Sequence, residues 1–212
     1  MLKKRKQFQK AIIEWNKTYH RNFPWRHTDD PFKVIIAEVT LKLTGAWKAE
    51  KAYAYLVEHY ETPEKMAKAK EPEIKPVFKT LGLHNRSQTL IRMANEITKR
   101  YDGEVPRTYD ELISIKGIGQ YTAYAVLCFA YNQKVPIVDG SVSRVFKRCL
   151  NYRSDKKAYA DKNLWKLAWE FLPYNNYKEY NLGLLDLGAL ICKHKKPCHE
   201  ACPLRVICHT AN

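Results

Sequence analysis

No apolar run in this chain approaches the ~20 residues that a membrane-crossing helix needs, and the basic start Met1-Leu2-Lys3-Lys4-Arg5-Lys6 is not followed by the apolar core of a secretory leader. These two absences point to a soluble intracellular protein with no membrane partner. Acidic residues are outnumbered, 22 Asp and Glu against 37 Lys and Arg, which leaves a net charge of +15. Such an excess favours polyanions and speeds their capture through counterion release, so nucleic acid comes ahead of a merely soluble basic surface. The chain has six cysteines, but a reducing compartment excludes a disulfide frame as their use. Four of them crowd into the last 21 residues, which points to a metal. Strand-like alternation and internal repeats are also missing, so the fold class expected is all-α. At 212 residues the chain can bury a real core, as one large domain or as two small ones sharing a cleft.

Helical spacing runs from Gln7 to Tyr19, with Phe8, Ile12 and Trp15 on one side and lysines opposite. The loop Arg21-Asn22-Phe23-Pro24-Trp25-Arg26 then interleaves aromatic and cationic residues. Asp29, Asp30 and Pro31 carry cap and first-turn signals for a helix from Phe32 to about Thr44. Within it Glu38 lies among Val34, Ile35, Ala37, Val39 and Leu41, so its carboxylate is paired, protonated or turned to a cleft. Further helices are read at Trp47 to Tyr60, Pro63 to Ala69, Glu71 to Leu81, Ser87 to Tyr101, Val142 to Leu150, Lys157 to Phe171 and Lys178 to Ile191. Leu81-Gly82-Leu83-His84-Asn85-Arg86 breaks the periodicity as an exposed turn.

The stretch from Leu112 to Arg148 carries the chemistry. Gly117 and Gly119 flank Ile118 and permit a tight turn whose backbone N–H groups converge on an anion, just before a helix N-terminus. About 20 residues on stands Asp139, before Gly140 and Ser141, where a helix N-cap also belongs. The short basic helix after it holds Arg144, Lys147 and Arg148. At the end of the chain Cys192, Cys198, Cys202 and Cys208 fall within 17 residues, enough to surround a cubane cluster, which takes four Cys ligands. Zinc is the rival, since it accepts Cys and His, although its structural ligands are usually spaced more closely than two five-residue gaps. Cys128 and Cys149 read as core packing.

Together these pieces resemble the helix-hairpin-helix DNA glycosylases that carry a C-terminal [4Fe-4S] cluster: endonuclease III, MutY-type adenine glycosylases and Mig-type thymine glycosylases. The resemblance rests on Phe23-Pro24-Trp25-Arg26, Pro31-Phe32-Lys33-Val34 with Glu38, Lys116-Gly117-Ile118-Gly119-Gln120-Tyr121-Thr122-Ala123, Val138-Asp139-Gly140, Asn181-Leu182-Gly183 and the four terminal cysteines. They run in family order over essentially the whole chain. One departure stands out: the usual Cys-x6-Cys-x2-Cys-x5-Cys spacing is x5, x3, x5 here, and His199 occupies the usual second position. The cluster ligands implied are Cys192, Cys198, Cys202 and Cys208, with His199 a rival to Cys198.

The resemblance implies two helical lobes, a six-helix hairpin lobe at 28–133 and a cluster lobe made by both chain ends, 1–27 and 134–212, with the [4Fe-4S] loop at 192–208. The cleft between them takes an extruded nucleotide, because a glycosidic carbon cannot be reached inside the duplex. Asp139 then stabilises the positive charge that builds on the sugar, or activates the attacking water. Tyr121 occupies the position of the Schiff-base lysine in lyase members; a phenol cannot form that imine, so a monofunctional glycosylase is implied. Lys42 and Lys116 are the amines from which weak abasic-site lyase activity could come. The hairpin residues Lys116, Gly117, Ile118, Gly119 and Gln120, together with Arg144, are implied DNA contacts, with a monovalent cation at the hairpin.

For the target base, the MutY-type Leu-Gln-Gln-Thr run is Leu41-Lys42-Leu43-Thr44 here, and the MutY-type Gly-Tyr-Tyr turn is Gly82-Leu83-His84. MutY-type enzymes also usually append a second domain, and this chain stops directly after the cysteines. The expectation is therefore removal of thymine or uracil opposite guanine in mismatched double-stranded DNA, by a monomer in the cytoplasm at the nucleoid. Lys42, Leu43, Leu83 and His84 are the candidates for filling the gap and contacting the orphan guanine, with plain core packing the other reading of Leu43 and Leu83. Glu38 is kept as a third catalytic candidate, to orient water or bond the pyrimidine edge. The alternatives are a MutY-like adenine glycosylase, a non-catalytic mismatch-binding protein, and a lyase-type endonuclease disfavoured by Tyr121.

Overall fold

The computed structural model describes residues 2–42, 44–83 and 85–211. It is all-α: eleven α-helices joined by short 3-10 and π turns, with no strand among the described residues. No helix among them is long and apolar enough to cross a membrane. The chain divides into two compact units, one formed by 22–133 and the other by 1–21 with 134–212.

The helices in chain order are α1 (Leu2–Thr18), α2 (Pro31–Leu41), α3 (Ala46–His59), α4 (Pro63–Ala67), α5 (Glu71–Thr80), α6 (Arg86–Tyr101), α7 (Tyr109–Ser114), α8 (Gln120–Ala125), α9 (Gly140–Leu150), α10 (Lys162–Phe171) and α11 (Tyr177–Leu190).

The unit 22–133 is built on α2. The Asp30 carboxylate starts this helix by accepting from the N–H groups of Phe32 and Lys33 at 2.8 and 3.0 Å, with Pro31 pre-set in the first turn. Phe32, Val34, Ile35, Ile36, Ala37, Val39 and Thr40 are all buried, so α2 is apolar nearly all round and belongs to the core. It packs on α3, α6 and α8. Each fully buried aliphatic here is worth about 1.5–3 kcal/mol, which makes Ile35 and Ile36, both at 0 % exposure, costly to shorten. α8 runs into one π turn, Val126–Ala130, where the Tyr131 N–H reaches back to the Val126 carbonyl at 3.2 Å. Such turns insert an extra residue into a helix and concentrate near functional sites.

In the other unit Phe8 of α1, Phe146 of α9 and Phe171 of α10 meet with ring centroids 5.3–5.8 Å apart, and Tyr180 of α11 joins Phe8 at 6.3 Å. α1 begins at Leu2 rather than Gln7, because its lysine-rich first turns simply extend the solvent side of a helix whose Phe8 and Ile12 are fully buried. The single helix read from Lys157 to Phe171 is instead a 3-10 turn, Ala158–Ala160, followed by α10. Asp161 makes the break: its carboxylate caps α10 by accepting from the Leu164 N–H at 3.1 Å and also takes the Tyr152 hydroxyl at 2.8 Å. α11 lies close against its neighbours, since a Cβ at Gly183 would fall 2.8 Å from Ile12 and one at Gly188 2.8 Å from Ser141.

Candidate functional site

Asp139 is placed by the segment that precedes it. Val135, Pro136, Ile137 and Val138 are buried, and Asn181, 1 % exposed, bonds that backbone twice. Its amide accepts from the Ile137 N–H at 3.2 Å and donates to the Val135 carbonyl at 2.9 Å. Asp139 then caps α9 from an extended backbone, one oxygen accepting from the Val142 N–H at 2.7 Å. The Ser141 hydroxyl donates to the same carboxylate, 2.8 and 3.0 Å from its two oxygens. The side chain is thus held in one orientation yet stays half-exposed. A fixed, accessible carboxylate is the form in which an acid side chain can meet a developing positive charge without reorganising.

Two buried polar residues of α11, Asn181, which positions this region, and Asp186, carry no role in the sequence reading. Asn181 enters it only as part of a motif, and Asp186 not at all. Asp186 is fully buried and accepts from Arg21 through the guanidinium at 2.5 Å and the backbone N–H at 2.9 Å. The available signal was an amide and a carboxylate inside the apolar helix around Leu184, Leu185 and Leu187, since buried polar groups must be bonded.

The hairpin in the unit 22–133 joins α7 to α8. Lys116, Gly117 and Gly119 are exposed, Gln120 is half-exposed, and Ile118 is buried at 4 % as the apolar anchor of the turn. The Ile118 N–H closes it on the Ile115 carbonyl at 3.0 Å. Gly117 is required here: its φ is +111°, and a Cβ would meet Met93 at 2.6 Å. Gly119 caps α8 without a side-chain acceptor and has nothing within 4 Å of where its Cβ would stand. The first turn of α8 therefore lacks a side-chain cap, and an approaching anion can supply the acceptor. Tyr121, in that turn, is half-exposed, as is Glu38 on α2, which packs on α8.

The two turns read as gap-filling lie together in this unit. The Thr44 hydroxyl donates to the Leu81 carbonyl at 3.3 Å. Burial and the Arg86 guanidinium hold the Lys42 ammonium below its ordinary value, while the Glu38 carboxylate pulls the other way. Lys42, Glu38 and Arg86 thus share one electrostatic neighbourhood. Leu83 is half-exposed, its N–H bonded to the Phe78 carbonyl at 2.9 Å. Leu43 and His84 lie outside the described residues.

Arg144 is engaged inside its own unit: its guanidinium donates to the carbonyls of Cys192 and Gly188 at 2.7 and 2.8 Å. Arg148 continues that work on Lys193 and His194, each at 2.7 Å. These arginines thus hold the turn that carries the cysteines. None of the six cysteines forms a disulfide; Cys208 is buried, Cys192 and Cys202 half-buried, Cys198 exposed. Burial pushes the Cys202 thiol up, a Leu204 N–H pulls it down, and the nearby thiols of Cys208, Cys192 and Cys198 raise it further. The four therefore form one neighbourhood of sulfur donors. Among the described residues no three His, Cys, Asp or Glu side chains converge tightly enough to hold a single metal ion. Four cysteine sulfurs are the donor set that a cubane cluster would take, in type and number.

The sequence profile of the HhH-GPD superfamily base excision DNA repair proteins matches residues 39–170. A thymine/uracil-DNA glycosylase of Methanothermobacter thermautotrophicus is 36 % identical over 207 residues, covering 97 % of this chain and 94 % of that protein. The structure of a thermostable thymine-DNA glycosylase superposes with a TM-score of 0.92 at 35 % identity, over 99 % of this chain and 97 % of that one. A non-covalent complex of endonuclease III with DNA follows at 0.83 and 25 % identity, over 98 % and 96 % of the two chains. With its hairpin, its capped aspartate and these likenesses over nearly its full length, this chain belongs to the HhH-GPD superfamily of base excision DNA repair proteins.

Proposed function

We propose that this protein is a monofunctional DNA glycosylase that removes thymine or uracil mispaired with guanine, hydrolysing the N-glycosidic bond of a flipped nucleotide. The observation that carries the chemistry is the Asp139 carboxylate, oriented by Val142 and Ser141 and still open to solvent. It stabilises the cationic sugar or activates water. Tyr121 gives the pocket a phenol where a lyase needs an amine, so the product is an abasic site. Glu38 orients water or bonds the pyrimidine edge.

Lys116, Gly117, Gly119 and Gln120 take DNA phosphates, with Ile118 anchoring the turn and its carbonyl groups offering a place for a monovalent cation. Lys42 and Leu83, with Leu43 and His84, contact the orphan guanine, and Arg144 adds a DNA contact from its own unit. The lobe at 28–133 supplies the hairpin, and the lobe of 1–27 and 134–212 supplies Asp139 and the cysteines. The superfamily includes iron–sulfur members. Cys192, Cys198, Cys202 and Cys208 are the residues that would hold a [4Fe-4S] cluster here, a structural tie for the chain end. The protein acts as a monomer on DNA in the cytoplasm, at the nucleoid.

A mispaired base costs less to unstack than a paired one, which supplies part of the selectivity. The test is a panel of duplexes with G·T, G·U, A·G and A opposite oxidised guanine, with products resolved before and after alkali. Thymine and uracil should be released, with strand breaks only after alkali. Release of adenine in preference to both would replace the base assignment by the MutY-like one; release of nothing, with tight mismatch binding, would leave a binding protein.

A further inference from the structure

Trp47 is 75 % exposed at the second position of α3. A tryptophan left in water gives up most of the largest apolar payload a side chain offers. The indole is nevertheless held by the fold. It meets the Phe23 ring at 5.1 Å and 69°, and Phe23, 2 % exposed, stacks on Trp25 at 4.7 Å and 11°. Trp25 in turn sits edge-on to Tyr53 at 5.4 Å and 78°. Trp47 is thus the outermost of four rings, of which Phe23 and Tyr53 are buried and Trp25 half-buried, an aromatic surface ordered before anything binds it.

Its surroundings say what that surface meets. Two residues earlier Gly45 caps α3 without a side chain, and Thr44, just before it, is bonded to Leu81. Lys42, the residue that ends α2, lies beside Arg86, and Trp47 is followed by the exposed Lys48 and Lys51. An exposed indole among cations in a chain of net charge +15 matches a nucleic acid strand, which offers both phosphates and flat base faces.

We propose that Trp47 is a stacking residue for DNA, taking the face of a nucleobase that has lost its neighbour or its partner at the disrupted site. The inference rests on the DNA-binding reading above and adds to it a residue that no motif identifies. A stack accepts any base but needs an uncovered face, so Trp47 favours interrupted duplex over continuous duplex rather than one sequence over another.

Parent, Trp47→Phe and Trp47→Leu proteins are titrated at one salt concentration with a matched duplex and with the same duplex carrying a tetrahydrofuran abasic analogue opposite guanine, which offers no base to remove. Anisotropy gives affinity, and indole emission reports Trp47 against the other four tryptophans. Trp47→Leu should weaken the interrupted duplex roughly 5- to 150-fold and the matched duplex about twofold or less, and should lose the DNA-induced quench. Trp47→Phe should stay within about threefold of the parent on both, because a ring remains. Equal affinity of Trp47→Leu and parent for the interrupted duplex overturns the proposal. So does an unchanged quench, or a change seen only as altered self-association in sedimentation. Thymine release by the parent is measured beside it. A parent that releases no thymine while Trp47→Leu still loses the interrupted duplex defeats the substrate reading alone, and the converse defeats this inference alone.

Discussion

The side-chain amide of Asn181 accepts a hydrogen bond from the backbone N–H of Ile137 at 3.2 Å, two residues before Asp139. The same amide donates to Val135, so one buried side chain satisfies two backbone groups of the segment that delivers the carboxylate. Asn181→Leu keeps the volume and removes both partners. Each buried group left unpaired costs about 1–3 kcal/mol, so with two of them urea unfolding should place the variant roughly 2–6 kcal/mol below the parent. Base release should fall further than the loss of folded protein explains. A variant equal to the parent in both would remove Asn181 from the support of Asp139.

Asp139 does two jobs that one pair of substitutions separates. Asn retains the oxygen that accepts from Val142 and is as good an N-cap as Asp. Asp139→Asn should therefore melt close to the parent while its single-turnover base release falls about 100-fold or more. Asp139→Ala should lose the same activity and a further ~1 kcal/mol of stability, the usual worth of a cap. An Asn variant that releases bases at the parent rate would leave the residue a cap and nothing more.

Tyr121 sits in the first turn of α8, half-exposed, just after the hairpin. An amine there can attack an aldehydic abasic sugar, form an imine with loss of water, and promote strand cleavage by elimination. Tyr121→Lys should add strand breaks without alkali, together with an adduct trapped by borohydride. A variant that releases base but traps no adduct would place this side chain away from the sugar.

What the sequence yields follows the local character of each signal. The Asp30 cap, the Gly117 turn and the apolar faces of α2 and α9 are each written within a few neighbouring residues, where cap chemistry and periodicity act. The π turn after α8 is not legible, because Val126 to Ala130 is simply an apolar run and periodicity does not distinguish i→i+5 bonding. Nor are the partners of Asn181 and Asp186, which are 44 and 165 positions away in the chain. Arg144 reads as a DNA contact because it stands in a basic helix; the carbonyls of Gly188 and Cys192 that it bonds come from the far end of the chain. Trp47 reads in the sequence as the ordinary start of a helix, and only folding reveals that most of its ring faces water.

Tyr53 closes the aromatic series beneath Trp47, and its ionisation gives that series a pH limit. Burial, reinforced by the Asp30 carboxylate, pushes the phenol from 10.0 up to about 12. In the unfolded chain the proton leaves near 10.0, while the folded protein keeps it until about 12. Between those values the folded state binds more protons, so its stability falls as pH rises. The contribution is whole below about pH 10 and is lost through about pH 12. Allowing for solvent screening, its size is about 1 kcal/mol. Tyr53→Phe keeps the ring and removes the titrating group, so parent and variant should share a urea midpoint at pH 8. By pH 11 the parent should have declined more steeply, and its Trp47 emission should respond to the loosening earlier than the variant's. Identical alkaline slopes in the two proteins would mean that this phenol ionises no differently once the chain is folded.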